Sequence, residues 1–408
     1  MSGTLLFRWS AAAALSLHAG LLLASDGVRG GGDLTPHLRL IQRMGEDPGL
    51  HNVYAPAYHA IGALLAPLTG LAAYPEWFAF ASAALLILAF RFFQRSAGLP
   101  DVCAAIFALS PYLFALTRCL PKVEAAGYAV ALLGLGLLLR GRLLGVAACV
   151  VGAFLVHTAA ALLLGLVGGL MALSRRDTRA LAALGGGALL ALPLFALHLA
   201  DGCSLPQAFL FSQDDYLRAA PRAHNLTHWD RVLWLANPLA LVAAAFGLRA
   251  LASRRREVVV ACVAIFVLYL NELWLAPFGA RTTLDLMRGL TLLAIPVAAS
   301  AGLALAARPR VAAWGVAACA LLALGTTFLV VPSSCVSKPV DTSRVASFEV
   351  DRCTFRWRGP ARRSQTSEGL EVGPHAFVDG SAAGEGATQQ LDRLRDLAAH
   401  GVGAGDPS

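Results

Sequence analysis

Long apolar runs separated by short loops rich in arginine make up most of this chain. A membrane-spanning helix needs about 20 mostly apolar residues. The pattern predicts eleven such segments: Thr4–Ala24, Trp77–Phe93, Leu99–Thr117, Val123–Leu139, Leu143–Val156, Ala159–Leu173, Ala180–Leu199, Val232–Leu251, Val258–Trp274, Leu286–Ala307 and Val311–Val331. The two halves flanking His157 are short, and read equally as two crossings or as one long bent helix. Tyr58–Leu71 is apolar but carries His59 and Pro67, so it reads as a helix lying along the membrane interface. Beyond Val331 the periodicity ends. Ser347–Trp357 alternates as a strand does, Gly380–Gly386 is a small-residue linker, Gln389–Ala399 has the pattern of a short amphipathic helix, and the last residues read as disordered.

The arginines decide between the two readings of His157. Arg91/Arg95, Arg140/Arg142, Arg175/Arg176/Arg179, Arg249/Arg254/Arg255/Arg256 and Arg308/Arg310 fall in alternate loops. They share one side only if the Leu143–Leu173 stretch crosses twice, and that side is then the cytoplasm. The N-terminus is expected inside. The loops at 25–76 and 200–231 and the tail at 332–408 are expected outside, with residues 1–331 forming one transmembrane domain. Thr4–Ala24 is expected to remain as an anchor, since no small-residue cleavage site precedes Asp26.

Composition agrees with this picture. The 408 residues are 57% hydrophobic and 14% charged, with mean hydropathy +0.63. A soluble domain is about a quarter charged. The net charge of +8 sits largely in the short loops, where it sets topology, so it gives no reason to expect nucleic acid. The fold class is an all-α polytopic membrane protein, and the arginine-rich, lysine-poor composition suits a bacterial plasma membrane. Cys103, Cys149, Cys262 and Cys319 fall within apolar segments and read as buried small groups. Cys119, Cys203, Cys335 and Cys353 fall outside, where Cys335–Cys353 and Cys119–Cys203 disulfides are open pairings. No cysteine or histidine spacing indicates zinc. No cofactor is called for, and a divalent metal is left open.

The chemistry-bearing residues gather on the expected outer side: Asp33, His37, His59, Arg118, Lys122, Glu124, Arg288 and the 213–231 loop. A carboxylate there can take a proton from an attacking hydroxyl. Cations there can hold a departing phosphate. Each residue also has a plain reading. Asp33 shortly before Pro36 suits a helix N-cap. His37 suits a structural partner, and Glu124 complements a helix dipole. Lys122 pairs with Glu124, and Arg288 snorkels to the interface.

The run GGDLTPHLRLIQRM, then VYAPAYHAIGALLAPLTG, then YPEWFAFASAALLILAFRFFQRSAGLPDVCAAIFALSPYLFALTR resembles the N-terminal part of GT-C superfamily glycosyltransferases. The likeness is greatest to the polyprenyl-phosphate-sugar-dependent enzymes of the glycosyltransferase family 39 type, and it covers roughly the first third of the chain. The later LDLMRGLTLLAIPVAASAGLALA resembles the helix in which such enzymes carry an outer arginine. The resemblance implies a GT-C-like bundle that moves a hexosyl or pentosyl group from a lipid-linked sugar donor to a glycan, lipid or protein acceptor of the cell envelope. It assigns Asp33 as catalytic base and Glu124 as the second acid. It puts Arg288, with Arg118 or Lys122, on the lipid phosphate, and matches His37 and the segment from Tyr54 to His59 to the substrate-facing stretch. The chain departs from the pattern in lacking a paired Asp-Glu in the first loop, in having one proline where two are usual, and in placing His157 where several members have lysine. Two other classes remain in play: a transporter or flippase, whose mark would be internal repeats and broken helices at mid-membrane depth, and an inactive scaffold of the same fold.

Overall fold

The computed structural model describes residues 2–23, 29–30, 34–46, 56–118, 123–200, 234, 236–269, 286–329, 338–339, 345, 349–350 and 357–358. Within these the protein is almost wholly helical: α1 Gly3–Leu23, α2 Leu34–Glu46, α3 Pro56–Thr69, α4 Tyr74–Ser96, α5 Asp101–Ala108, α6 Pro111–Arg118, α7 Glu124–Leu139, α8 Leu143–Val156, α9 Thr158–Arg175, α10 Thr178–Ala200, α11 Pro238–Arg254, α12 Arg256–Tyr269, α13 Leu286–Ala306 and α14 Pro309–Leu329. Among the described residues, Tyr74–Ser96 and Arg310–Thr327 are long and apolar enough to cross a membrane by themselves. Large apolar side chains such as Leu144, Phe246, Trp314 and Leu321 are exposed, as expected where lipid is the solvent.

Local sequence sets the breaks. The segment expected to be one helix over Leu99–Thr117 is two, α5 and α6, because Pro111 has no N–H to continue the ladder and biases Ser110 away from helix. The Ser110 N–H instead closes a tight turn on the Phe107 carbonyl at 3.0 Å. Gly98 and Gly141, at φ +64° and +69°, make the turns into α5 and α8, a backbone shape glycine adopts without strain.

The chain folds back at His157. Gly127 near the start of α7 abuts His157 and Ala160; Gly134 at its middle abuts Cys149 and Leu164; Leu137 near its end abuts Gly145. Thus α8 runs against α7 and α9 runs with it, so the Leu143–Leu173 stretch passes through the bundle twice. His157 forms the turn in extended backbone, with φ −163° and ψ 117°.

This return brings the arginine loops to one face. Asp101 at the start of α5 accepts from Arg95 Nε at 3.1 Å, from Gln94 at 2.9 Å and from the Thr4 hydroxyl at 2.7 Å, which ties in the start of α1. Arg140 donates to Ser96 at 2.8 Å, the Arg255 guanidinium lies over Gly98, and Arg175 reaches Glu257 at 3.8 Å. One apolar core draws on α1 and on every helix from α4 to α14, with Phe90 and Phe107 stacked within it.

At the opposite end, α2 and α3 pack on the bundle around a second, smaller cluster of Leu38, Ile41, Tyr58, Tyr74, Val123 and Val345. Val345 comes from beyond the last apolar segment. Two short strands join the same region: β1 Arg29–Gly30 pairs antiparallel with β2 Lys338–Pro339. The stretch expected to be one strand over Ser347–Trp357 contains two, β3 Glu349–Val350 and β4 Trp357–Arg358, paired antiparallel with each other. A strand cannot remain alone when its backbone groups need partners, and folding back supplies them locally. The linker at 380–386, the helix expected at 389–399 and the tail's end lie outside the described residues, as do Cys119, Cys203, Cys335 and Cys353. Cys103, Cys149 and Cys319 are buried, as expected.

Candidate active site

The helix α2 places its apolar side inward: His37, Leu38, Leu40 and Ile41 are buried, whereas Gly45 and Glu46 are exposed. Its neighbour α3 has an unusual distribution. Tyr58, His59 and Gly62 face the protein, while Leu64 and Leu68, 75% and 83% exposed, face away. A helix with its polar and small groups inside and its leucines outside belongs at a lipid boundary. This agrees with the interface reading. Gly62 makes the close approach possible, since a Cβ there would lie 2.8 Å from both Ile41 and Tyr74.

His37 and His59 meet within this packing. His37 Nδ1 lies 2.8 Å from His59 Nε2, and the rings stack with centroids 5.0 Å apart. Both are fully enclosed, at 1% and 0% exposure. Burial pushes the His59 imidazole down to about 3, so it is neutral at ordinary pH. Tyr58 sits edge-on to His37 and against Tyr74 and Phe78. The Tyr74 hydroxyl donates to the Tyr58 carbonyl at 2.8 Å. Burial raises the Tyr58 phenol well above its ordinary value, with Tyr74 and then the Glu124 carboxylate adding to the rise.

Glu124 opens α7 and is completely buried, like His157 at the α8–α9 turn. His157 Nε2 lies 3.9 Å from Glu124 Oε1, too long for a hydrogen bond but within ion-pair reach once the imidazole is protonated. Tyr128, one turn along α7, meets the His157 ring edge-on at 6.4 Å. Val123 and Val156, the residues preceding Glu124 and His157, pack in the same cluster as Tyr58. The two polar groups, His37–His59 and Glu124–His157, are therefore neighbours with Tyr58 between them. A buried carboxylate beside an imidazole can accept, hold and return a proton, and such groups are rare at a membrane boundary without a task.

Of the residues singled out from sequence, three are brought together here: His37, His59 and Glu124. Arg118 closes α6 and Arg288 lies in the first turn of α13, each described in its helical backbone only. Asp33, Tyr54 and Lys122 lie outside the described residues. Two central groups were not among the residues assigned a role, Tyr58 as a hydroxyl and His157 as a partner of Glu124. The signal for His157 was present, an ionisable side chain between two apolar halves. Among the described residues no group of three or more His, Cys, Asp or Glu side chains is arranged to hold a metal ion.

No protein-family model matches the sequence, and no curated protein does. Solved structures do match in fold. ArnT from Cupriavidus metallidurans bound to undecaprenyl phosphate superposes with a TM-score of 0.52 at 18% identity, covering 78% of this chain and 64% of that one. The apo state of the same protein gives 0.52 and 18%, covering 80% and 65%. The chain spans just under two thirds of the length of these proteins. The chain is an all-α polytopic membrane protein that shares the fold of these ArnT structures.

Proposed function

We propose that this protein is an inverting glycosyltransferase of the bacterial plasma membrane. It takes a sugar from a polyprenyl-phosphate donor and passes it to a glycan, lipid or protein of the envelope on the outer face. The arginine loops and the N-terminus lie in the cytoplasm, and the end carrying Glu124 and His157 faces outward. Asp33 takes the proton from the acceptor hydroxyl, which attacks the anomeric carbon. Arg288, with Arg118 or Lys122, stabilises the phosphate as it departs on its lipid.

The observation that carries this reading is the buried Glu124–His157 pair at the end of the bundle opposite the arginine loops, beside the cluster that holds α2 and α3. Acid–base groups concentrated at one membrane boundary suit chemistry on a lipid headgroup better than a transport path, which would need them at mid-depth. The ArnT structure of the same fold holds undecaprenyl phosphate, a polyprenyl carrier.

The test uses the full chain in proteoliposomes supplied with undecaprenyl phosphate carrying a radiolabelled pentose or hexose and an envelope extract as acceptor. Asp33→Asn is expected to lower transfer by about 10²–10⁴-fold, as removal of a general base does. Arg288→Ala should weaken binding of undecaprenyl phosphate itself. Full transfer by Asp33→Asn would refute the assignment. Movement of labelled lipid across the bilayer without any product would favour a flippase.

A further inference from the structure

The two histidines of the outer cluster were candidates for touching substrate. Their geometry argues for a different role. Each is sealed from solvent, and His37 Nδ1 lies 2.8 Å from His59 Nε2 across 22 residues of sequence. His59 Nδ1 has no hydrogen-bond partner among the described residues. A buried N–H left without a partner is the costlier orphan, and a bare ring nitrogen is the more tolerable one. The proton of His59 therefore belongs on Nε2, which donates to His37 Nδ1, and His37 keeps its own proton on Nε2. The contact joins α2 to α3, and the same two faces meet again about one turn further on, where Ile41 sits on Gly62. Asp33 is the residue directly before Leu34, the first residue of α2.

We infer that His37 and His59 form a neutral imidazole clasp that fixes α2 on α3 and so positions the residue preceding α2, rather than binding substrate themselves. The clasp needs one donor and one acceptor in a set orientation. Glutamine can place an amide N–H where His59 Nε2 lies, and asparagine can place an oxygen where His37 Nδ1 lies. Leucine can do neither. The consequence for turnover rests on the reading of Asp33 as base, but the consequence for α2 does not.

The experiment measures amide hydrogen exchange over residues 34–46 of the full chain in lipid nanodiscs, turnover with the labelled donor, and affinity for undecaprenyl phosphate. His59→Leu should raise exchange in α2 by about tenfold, as the loss of one buried hydrogen bond does. It should lower kcat while leaving undecaprenyl phosphate binding within about twofold of wild type, since a twofold change is below half a kcal/mol. His59→Gln and His37→Asn should restore the protection of α2. Unchanged exchange in His59→Leu, failure of glutamine to do better than leucine, or a loss of undecaprenyl phosphate affinity would each overturn the clasp. Raised exchange with kcat unaltered would overturn its positioning role while leaving Asp33 untouched. Conversely, full transfer by Asp33→Asn would remove the catalytic reading while leaving the exchange result standing.

Discussion

At the scale of single residues, His59 is the clearest case of a side chain whose surroundings reverse its ordinary behaviour. An imidazole in water titrates near 6.5, whereas enclosure lowers His59 to about 3. Between these values the unfolded chain takes up a proton that the folded chain does not. Stability is therefore fully present above about 6.5 and is lost as pH falls toward 3. The ring neighbours of His59 are His37 from α2 and Tyr58 beside it on α3, with Tyr74 and Glu124 beyond Tyr58; the Tyr58 phenol stays neutral throughout this window. Thermal unfolding of the protein in nanodiscs should show a midpoint that declines from pH 7 to pH 4, and a smaller decline for His59→Gln. Equal declines in the two proteins would show that another group governs the acid limb. The sequence already pointed to His37, His59 and Glu124. It did not reveal that two of them bond to each other, because periodicity shows which face of a helix turns inward but not what it meets there.

Helices in this protein approach one another through small residues, and α13 shows how little space remains. On one side its Ser300 backbone presses on Gly247 of α11; on the other its own Gly302 presses on Cys103 of α5. A Cβ at Gly302 would lie 2.5 Å from the Cys103 Cα, and a backbone atom cannot swing aside as a side-chain tip can. Gly302→Val should therefore destabilise the bundle by about 1–3 kcal/mol or more, read as earlier unfolding in a detergent titration. Gly165→Val, where a Cβ meets nothing within 4 Å, is the control and should change little. An equal loss in both would attribute the effect to glycine in general and not to this crossing. Most helices were legible as apolar runs. The break at Pro111 is readable from that proline, and the turn at His157 from the sidedness of the arginines.

Across the whole molecule, charge and polarity are divided between two ends. Arginines with Asp101 and Glu257 hold one end together, and enclosed imidazoles, phenols and Glu124 occupy the other. Val345, from beyond the last apolar segment, joins the second end. It is fully buried in one cluster with Leu38 and Ile41 of α2, Tyr58 of α3, Tyr74 of α4 and Val123, the residue before α7. An aspartate there would put an unpaired carboxylate among apolar and aromatic groups, at a cost of several kcal/mol. Val345→Asp should expose α2 to limited proteolysis in sealed vesicles while leaving the core helices α7 to α9 protected. Resistance equal to wild type would mean that this residue is dispensable to the packing of the tail.

From sequence alone came the membrane class, most helix positions and the gathering of the arginine loops at one end. Each depends on local composition or on the price of placing charge in hydrocarbon, and those are written residue by residue. Tertiary structure alone decided that His37 bonds His59, that Tyr58 stands between two polar pairs, that His157 faces Glu124, and that Val345 returns to the first helices after the bundle. These contacts join positions far apart in the chain. They depend on which helix faces pack together, a choice made by shape at glycines such as Gly62 and Gly127 and invisible to any periodic pattern.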